Sequence, residues 1–127
     1  MAFVTFNKAL DSGAPDDLRI NTLAVLYVEA SRPDLVGQTT IHMLGQGAVF
    51  HAVTEPVGLV ISLIGGLVPA TRYYLASPPE SGPSTVYISP ATVSYLMPNL
   101  PGEADFWYVK FVDGSELRVM APLPAGL

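Results

Sequence analysis

The side chains best suited to chemistry sit in two short stretches. Both histidines, His42 and His51, fall within IHMLGQGAVFH at 41–51. If Gln46 and Gly47 make a two-residue turn, the flanking segments form a β-hairpin that sets Met43 against Phe50, His42 against His51 and Ile41 against Ala52. Directly opposed strand residues have Cβ atoms about 4.5–5.5 Å apart, close enough for two imidazoles to share a metal ion. A zinc site takes three or four ligands, however, and the hairpin offers no third carboxylate, histidine or thiolate, so no metal is assigned. The second stretch is VKFVDGSELR at 109–118. With Asp113, Gly114 and Ser115 as its loop, Lys110 faces Arg118, and two cations stand where the first hairpin has two histidines. The shared property is a basic or potentially basic pair on an outer hairpin face, suited to an acidic contact and, at the histidines, to one that responds to pH.

Other candidates are weighed in the same way. Arg72 joins His42, His51, Lys110 and Arg118 as a group that could hold a small anion or nucleotide. In FWYVKF at 106–111, strand alternation puts Trp107 with Val109 and Phe111 on one face, and Phe106 with Tyr108 on the other. Trp107 and Tyr108 could stack on a ring, but such platforms come with flanking cations, and packing is the favoured reading for them and for Tyr73 and Tyr74. Catalytic patterns are missing: LGQGAV and LIGGLV lack the Lys-Ser/Thr of a phosphate loop, and no serine sits in a nucleophile elbow. Asp16, Asp17, Glu103 and Asp105 fall in expected loops, where solvation leaves carboxylates ordinary. The expectation is a protein that is not an enzyme and carries no cofactor.

Composition sets the scaffold that must position these groups. Half of the 127 residues are hydrophobic and 13% are charged, which favours a folded core, while 12 prolines and 11 glycines cut the apolar content into short runs that suit strands. A net charge of −5 with no basic run argues against nucleic acid as the partner. With no cysteine there is no disulfide or thiolate chemistry, and MAFVTFNKAL lacks the pattern of a secretion signal, so a cytoplasmic location is expected. The most apolar segment, 57–68, is broken by Gly65 and Gly66 and falls well short of the roughly 20 residues of a membrane span.

An internal repeat organises the elements. Shifted by 68 positions, INTLAVLYVEAS (20–31) falls on ISPATVSYLMPN (88–99), matching Ile20 to Ile88, Val25 to Val93 and Tyr27 to Tyr95. Further on, Ile41 and Met43 fall on Val109 and Phe111. Each copy reads as five strands: FVTFNKAL, LRINT, AVLYVEA, TTIHML and AVFHAV, then TRYYLAS, TVYIS, TVSYLMP, FWYVKFV and ELRVMA. Between the copies TEPVGLVISLIGG reads as a helix, with Thr54 as cap, Glu55 and Pro56 in the first turn and Gly65 at the stop. Its apolar residues Val57, Leu59, Val60, Ile61, Leu63 and Ile64 cover nearly the whole circumference. Such a helix is expected to be buried on several sides, between the copies or against another subunit, and these six residues are the expected interface.

A five-strand unit followed by such a helix, from Ile20 through LYVEAS, TTIHML, AVFHAVTEP and VGLVISLI, resembles the small flagellar motility proteins of the FlbD type. The match covers roughly 50 residues of the first copy and, without the helix, about 40 of the second; Gln46-Gly47 and Asp113-Gly114 stand where that family has Asn-Gly. The resemblance implies a non-enzymatic protein with no catalytic residues. More broadly, the strand order is similar to Sm-like or SH3-like small barrels, which implies ring assembly or binding. The resulting expectation is a mainly β chain of two tandem five-stranded small barrels, 1–67 with the helix and 68–127. Its expected role is a non-enzymatic assembly or binding module with itself (rings included) or another protein as partner. The alternatives are a small anionic ligand or nucleotide held between the units, and a structural component of a virion or appendage.

Overall fold

Short apolar runs broken by proline and glycine leave strands as the main way to pair backbone groups. The computed structural model describes residues 3–9, 16–30, 38–46, 49–73, 84–99 and 105–127. Ten strands run through them: β1 (Phe3–Lys8), β2 (Asp16–Asn21), β3 (Val25–Ala30), β4 (Thr39–Met43), β5 (Val49–Val53), β6 (Val68–Thr71), β7 (Thr85–Ile88), β8 (Val93–Pro98), β9 (Phe106–Phe111) and β10 (Glu116–Met120). One α-helix, α1 (Val57–Ile64), lies between β5 and β6, and 3-10 turns at Thr22–Ala24 and Pro90–Thr92 join β2 to β3 and β7 to β8. The fold is mainly β. The strand expected at TRYYLAS begins earlier, at Val68, and Tyr74 onward in that stretch lies outside the described residues, as does Glu103. Pro69 has no N–H to give a neighbour, which suits β6 to its place at the end of its sheet.

All pairings are antiparallel. One sheet has the order β2-β1-β5-β4-β3-β7-β6 and the other β10-β9-β8, with a bridge from Arg72 to Val119 linking them. Among the described residues neither sheet closes into a barrel, a correction to the closed units expected from the sequence. The outer edge of β3 takes β7 as its neighbour instead of returning to β2.

The pairing recurs along the chain. On β4, Ile41, His42 and Met43 face Val28, Tyr27 and Val25, and on β9, Val109, Lys110 and Phe111 face Leu96, Tyr95 and Val93, each 68 positions later. Even the irregularity repeats, between Val25 and Tyr27 and between Val93 and Tyr95. The bond from Leu44 N–H to the Ala24 carbonyl (2.9 Å) likewise has its counterpart from Val112 to Thr92 (2.9 Å). Lys8 pairs with Val53 as Arg72 bridges Val119.

Both hairpin registers differ from expectation. On β4 and β5, His42 faces Phe50 and Ile41 faces His51, a slip of one residue that sends the histidines to opposite faces. Strand β4 ends at Met43 and β5 begins opposite it at Val49, a wider gap than a two-residue turn leaves. Gln46 adopts φ 59°, and a Cβ on Gly45 would collide with the Val49 side chain; Gly47 lies outside the described residues. On β9 and β10, Lys110 faces Glu116 and Tyr108 faces Arg118, because the loop tightens through Gly114 N–H to the Phe111 carbonyl (3.0 Å) and Phe111 N–H to the Ser115 carbonyl (2.9 Å).

Two apolar clusters hold the sheets. Phe6, Ile20, Val25, Val28, Ile41, Val53 and Val60 form one; Leu26, Tyr27, Ala70, Val86, Ile88, Val109, Phe111, Leu117 and Val119 form the other. The two are interleaved at β3, whose Val28 enters the first cluster while Leu26 and Tyr27 enter the second. Helix α1 packs by one face on the first cluster: Val60 is fully buried, Val57, Ile61 and Ile64 pack beside it, and Leu59 (46%) and Leu63 (45%) are exposed. Within the chain the helix is therefore covered on one side, not on several. Thr54 is not its cap. Pro56 holds that position with no side-chain bond, while the Glu55 carboxylate accepts the Asn7 backbone N–H (3.0 and 3.1 Å) and ties the helix entry to β1. Among the described residues no helix is long and apolar enough to cross a membrane.

This placement separates two substitutions on one helix. Val60→Ala should cost about 1–3 kcal/mol by leaving a cavity in the first cluster, and Leu63→Ala about 0.5 kcal/mol or less in the single chain, both read by urea denaturation at low concentration.

Candidate functional site

The most concentrated polar chemistry surrounds Glu29, a residue that sequence reasoning passed over. Strand β3 alternates, so Tyr27 and Glu29 point to the same side, and His42 joins them from β4 as the partner of Tyr27. Arg72 arrives from the segment after β6, brought near by the pairing of β3 with β7 and of β7 with β6. Glu29 Oε1 lies 3.2 Å from His42 Nε2, and Glu29 Oε2 accepts Arg72 Nη1 at 3.0 Å. The carboxylate thus joins two halves of the chain. Burial pushes its pKa up, but the hydrogen bond and charge of His42 and then those of Arg72 outweigh burial and hold it below the usual value.

Aromatic rings continue the cluster. Tyr27 stacks on His42 with centroids 4.1 Å apart and planes within 13°, and on Phe111 at 5.9 Å; His42 also sits 6.1 Å from Phe50. The imidazole is therefore held by a carboxylate at its edge and a phenol ring on its face, and a stacked ring in such a place orders the surface more than it frees it for catalysis. His51 is elsewhere. It faces Ile41 and is half-buried, and burial first, then the charge of Lys8, lowers its pKa.

Lys110 and Arg118 do meet, through a shared carboxylate. Glu116 Oε1 lies 2.6 Å from Lys110 Nζ, and Oε2 lies 3.3 Å from Arg118 Nη2. The Glu116 bond raises the Lys110 pKa despite some burial. The Arg118 guanidinium stands 5.7 Å from the Tyr108 ring centre, and Tyr108 meets Phe106 edge-on at 5.1 Å while Phe106 stacks on Tyr73 at 4.4 Å. This outer face of β9 is thus built of aromatic packing around an ion triad. Trp107 is on the other face, packed against the second cluster.

Asp113 centres a third site, one that the sequence reading missed. Its Oδ2 accepts the backbone N–H of Gly45 (2.9 Å) and Gln46 (2.7 Å), and its Oδ1 accepts the Ser115 N–H (2.9 Å). Burial works against the charge, but the Ser115 hydroxyl and these three amides lower its pKa to about 2. One carboxylate therefore clasps the two hairpin loops together. The Asp-Gly-Ser string signalled a turn, but nothing in it signalled the second loop as the partner.

The structure brings together His42 with Arg72, and Lys110 with Arg118, each pair across a carboxylate; His51 joins neither. Among the described residues, no three His, Cys, Asp or Glu side chains converge on a point that could hold a metal ion. An incoming anion would have to displace Glu29 or Glu116 from its cations.

Glu29→Gln should lower stability by about 1–2 kcal/mol at pH 7, because a neutral amide replaces a charge-assisted acceptor shared by His42 and Arg72. The folded pKa of Glu29 is depressed, so its contribution is full above the ordinary carboxylate pKa of about 4.3 and is lost as pH falls through the folded value. The gap between wild type and variant in urea midpoints should therefore close on acidification from about pH 5 downward. A gap that persists unchanged at low pH would contradict the ion-pair reading. No protein-family model, curated protein or solved structure matches this chain.

Proposed function

We propose that this chain is a non-enzymatic assembly module, built of two five-stranded units of like topology (1–67 with α1, and 68–127), that binds further copies of itself through strand edges and exposed apolar side chains. The observation that carries this reading is the repeated pairing network. From β2 to β7, β3 to β8 and β4 to β9 the equivalent residues are 68 apart, as Ile41 and Val109 opposite Val28 and Leu96 illustrate. The pair Lys8 and Val53 corresponds to Arg72 and Val119. Two such units already join edge to edge within the chain, by β3 and β7.

The surface supports the same reading. Leu59 and Leu63 share the outward side of α1, and Tyr95 and Met97 are exposed on β8; apolar side chains left exposed together on one element suit a contact surface. Of the candidate cations, His42 and Arg72 are engaged by Glu29 and Lys110 and Arg118 by Glu116, which favours protein contact over capture of a small anion. The cysteine-free composition fits a cytoplasmic setting.

Multi-angle light scattering across a concentration series tests it. The mass is expected to rise above the 13.5 kDa of one chain. A constant single-chain mass up to about 1 mM, the range in which even weak contacts form, would overturn the reading.

A further inference from the structure

The junction between β3 and β7 pairs Tyr27 with Ile88, Val28 with Tyr87 and Glu29 with Val86. Each of these residues has a counterpart 68 positions away: Tyr95, Leu96 and Met97 on β8 for the first strand, and Leu18, Arg19 and Ile20 on β2 for the second. Among the described residues β8 pairs only with β9, and β2 only with β1. We propose that the outer edge of β8 receives β2 of a second copy of this chain, antiparallel, in the register of the internal junction: Tyr95 opposite Ile20, Leu96 opposite Arg19 and Met97 opposite Leu18. This rests on the assembly reading above and names its contact.

Three observations carry it. First, the two edges are made the same way as the edges that meet inside the chain. Strand β8 leaves its 3-10 turn and breaks register against β9 between Val93 and Tyr95, as β3 does against β4 between Val25 and Tyr27. A strand edge with its amides and carbonyls open is a template for another strand.

Second, the exposure of equivalent residues differs as a missing neighbour would make it differ. Tyr27 is 9% exposed, its ring lying against Phe111 of the other unit, whereas Tyr95 is 52% exposed and Met97 44%. Third, a shallow cavity lies where the internal junction is filled. It is lined by Val93, Ser94, Tyr95 and Leu96 together with Gly126 and Leu127. At the equivalent place on β3, the Ser89 N–H donates to the Leu26 carbonyl (2.9 Å) and the Thr92 hydroxyl donates to the Val25 carbonyl (3.0 Å). In the proposed contact Asn21 and Ala24 of the incoming chain take those positions.

The contact is head to tail, because it joins two different edges. Each added copy brings a further β2 and a further β8 for the same contact, so it propagates until a ring closes or a filament grows. It is also weaker than the internal junction. Arg19 replaces Tyr87, Ser94 replaces Leu26, and Ala24 has no hydroxyl for the bond that Thr92 makes. Reversible, concentration-dependent association follows.

The chain has no cysteine, so engineered pairs report cleanly. Leu18→Cys with Met97→Cys places two thiols directly opposite across the proposed contact, within disulfide reach; Arg19→Cys with Met97→Cys points them to opposite faces. Under mild oxidation the first double variant is expected to give a ladder of disulfide-linked dimers and higher species at least about tenfold faster than the second. A mixture of the two single variants, Leu18→Cys and Met97→Cys, should stop at dimers. Tyr95→Glu, at an exposed position, should weaken self-association in light scattering by about tenfold or more with an unchanged circular dichroism spectrum. Oligomers that form without the ladder, or are indifferent to Tyr95→Glu, would overturn this contact and leave the assembly reading standing. A disulfide closed within one chain would also overturn it, and a monomer with no cross-link would remove both.

Discussion

Every strand edge carries a row of N–H and C=O groups that must be satisfied or left to water, and the way β3 satisfies its outer row governs this molecule. Its neighbour there is β7, from the second half of the chain. That single pairing merges two five-strand sets into a seven-stranded sheet and leaves three strands on the far side. It also decides where side chains go. Tyr27 and Val28, as successive strand residues, point to opposite faces and fill different apolar clusters, while Leu26, at the register shift between Val25 and Tyr27, joins the cluster of Tyr27; neither core is complete without β3.

Polar groups reinforce the same seam. Glu29 draws His42 from one half and Arg72 from the other, Asp113 in one hairpin loop holds the amides of the other, and the Thr92 hydroxyl caps the Val25 carbonyl. Part-buried carboxylates that accept from several donors stay charged and hold their donors in place, which makes them staples between the two halves of the chain. Glu29 and Asp113 thus each tie segments that are far apart in the sequence. Among the described residues, the exposed large apolar side chains include Leu59 and Leu63 on the outward side of α1 and Tyr95 and Met97 on β8.

Much of this was legible in the residues. The positions of nine strands and the helix followed from apolar alternation and Pro/Gly punctuation, and the 68-residue shift placed β7, β8 and β9 on β2, β3 and β4. The single shift failed where the loops differ in length. The β4–β5 connection is two residues longer than its counterpart, so His51 corresponds to Leu117, and Arg118 to Ala52, in place of the His51 to Arg118 match that the sequence suggested. Loop length and register are set together, and neither is written in alternation alone. The helix is covered by this chain on one face only, because an apolar circumference shows that burial is available, not that the same chain supplies it. Glu29 and Asp113 escaped notice because their partners are long-range, 43 and 68 positions away.

Pairing of β3 with β7 holds the two halves of the chain as one body. Hydrogen exchange of the Ser89 amide, bonded at 2.9 Å to the Leu26 carbonyl across that seam, tests it most directly. If the claim holds, this amide exchanges only with global unfolding, at the same free energy as the most protected core amides such as those of Val28 and Val109. Exchange of Ser89 through a low-energy opening, with both cores still protected, would contradict it.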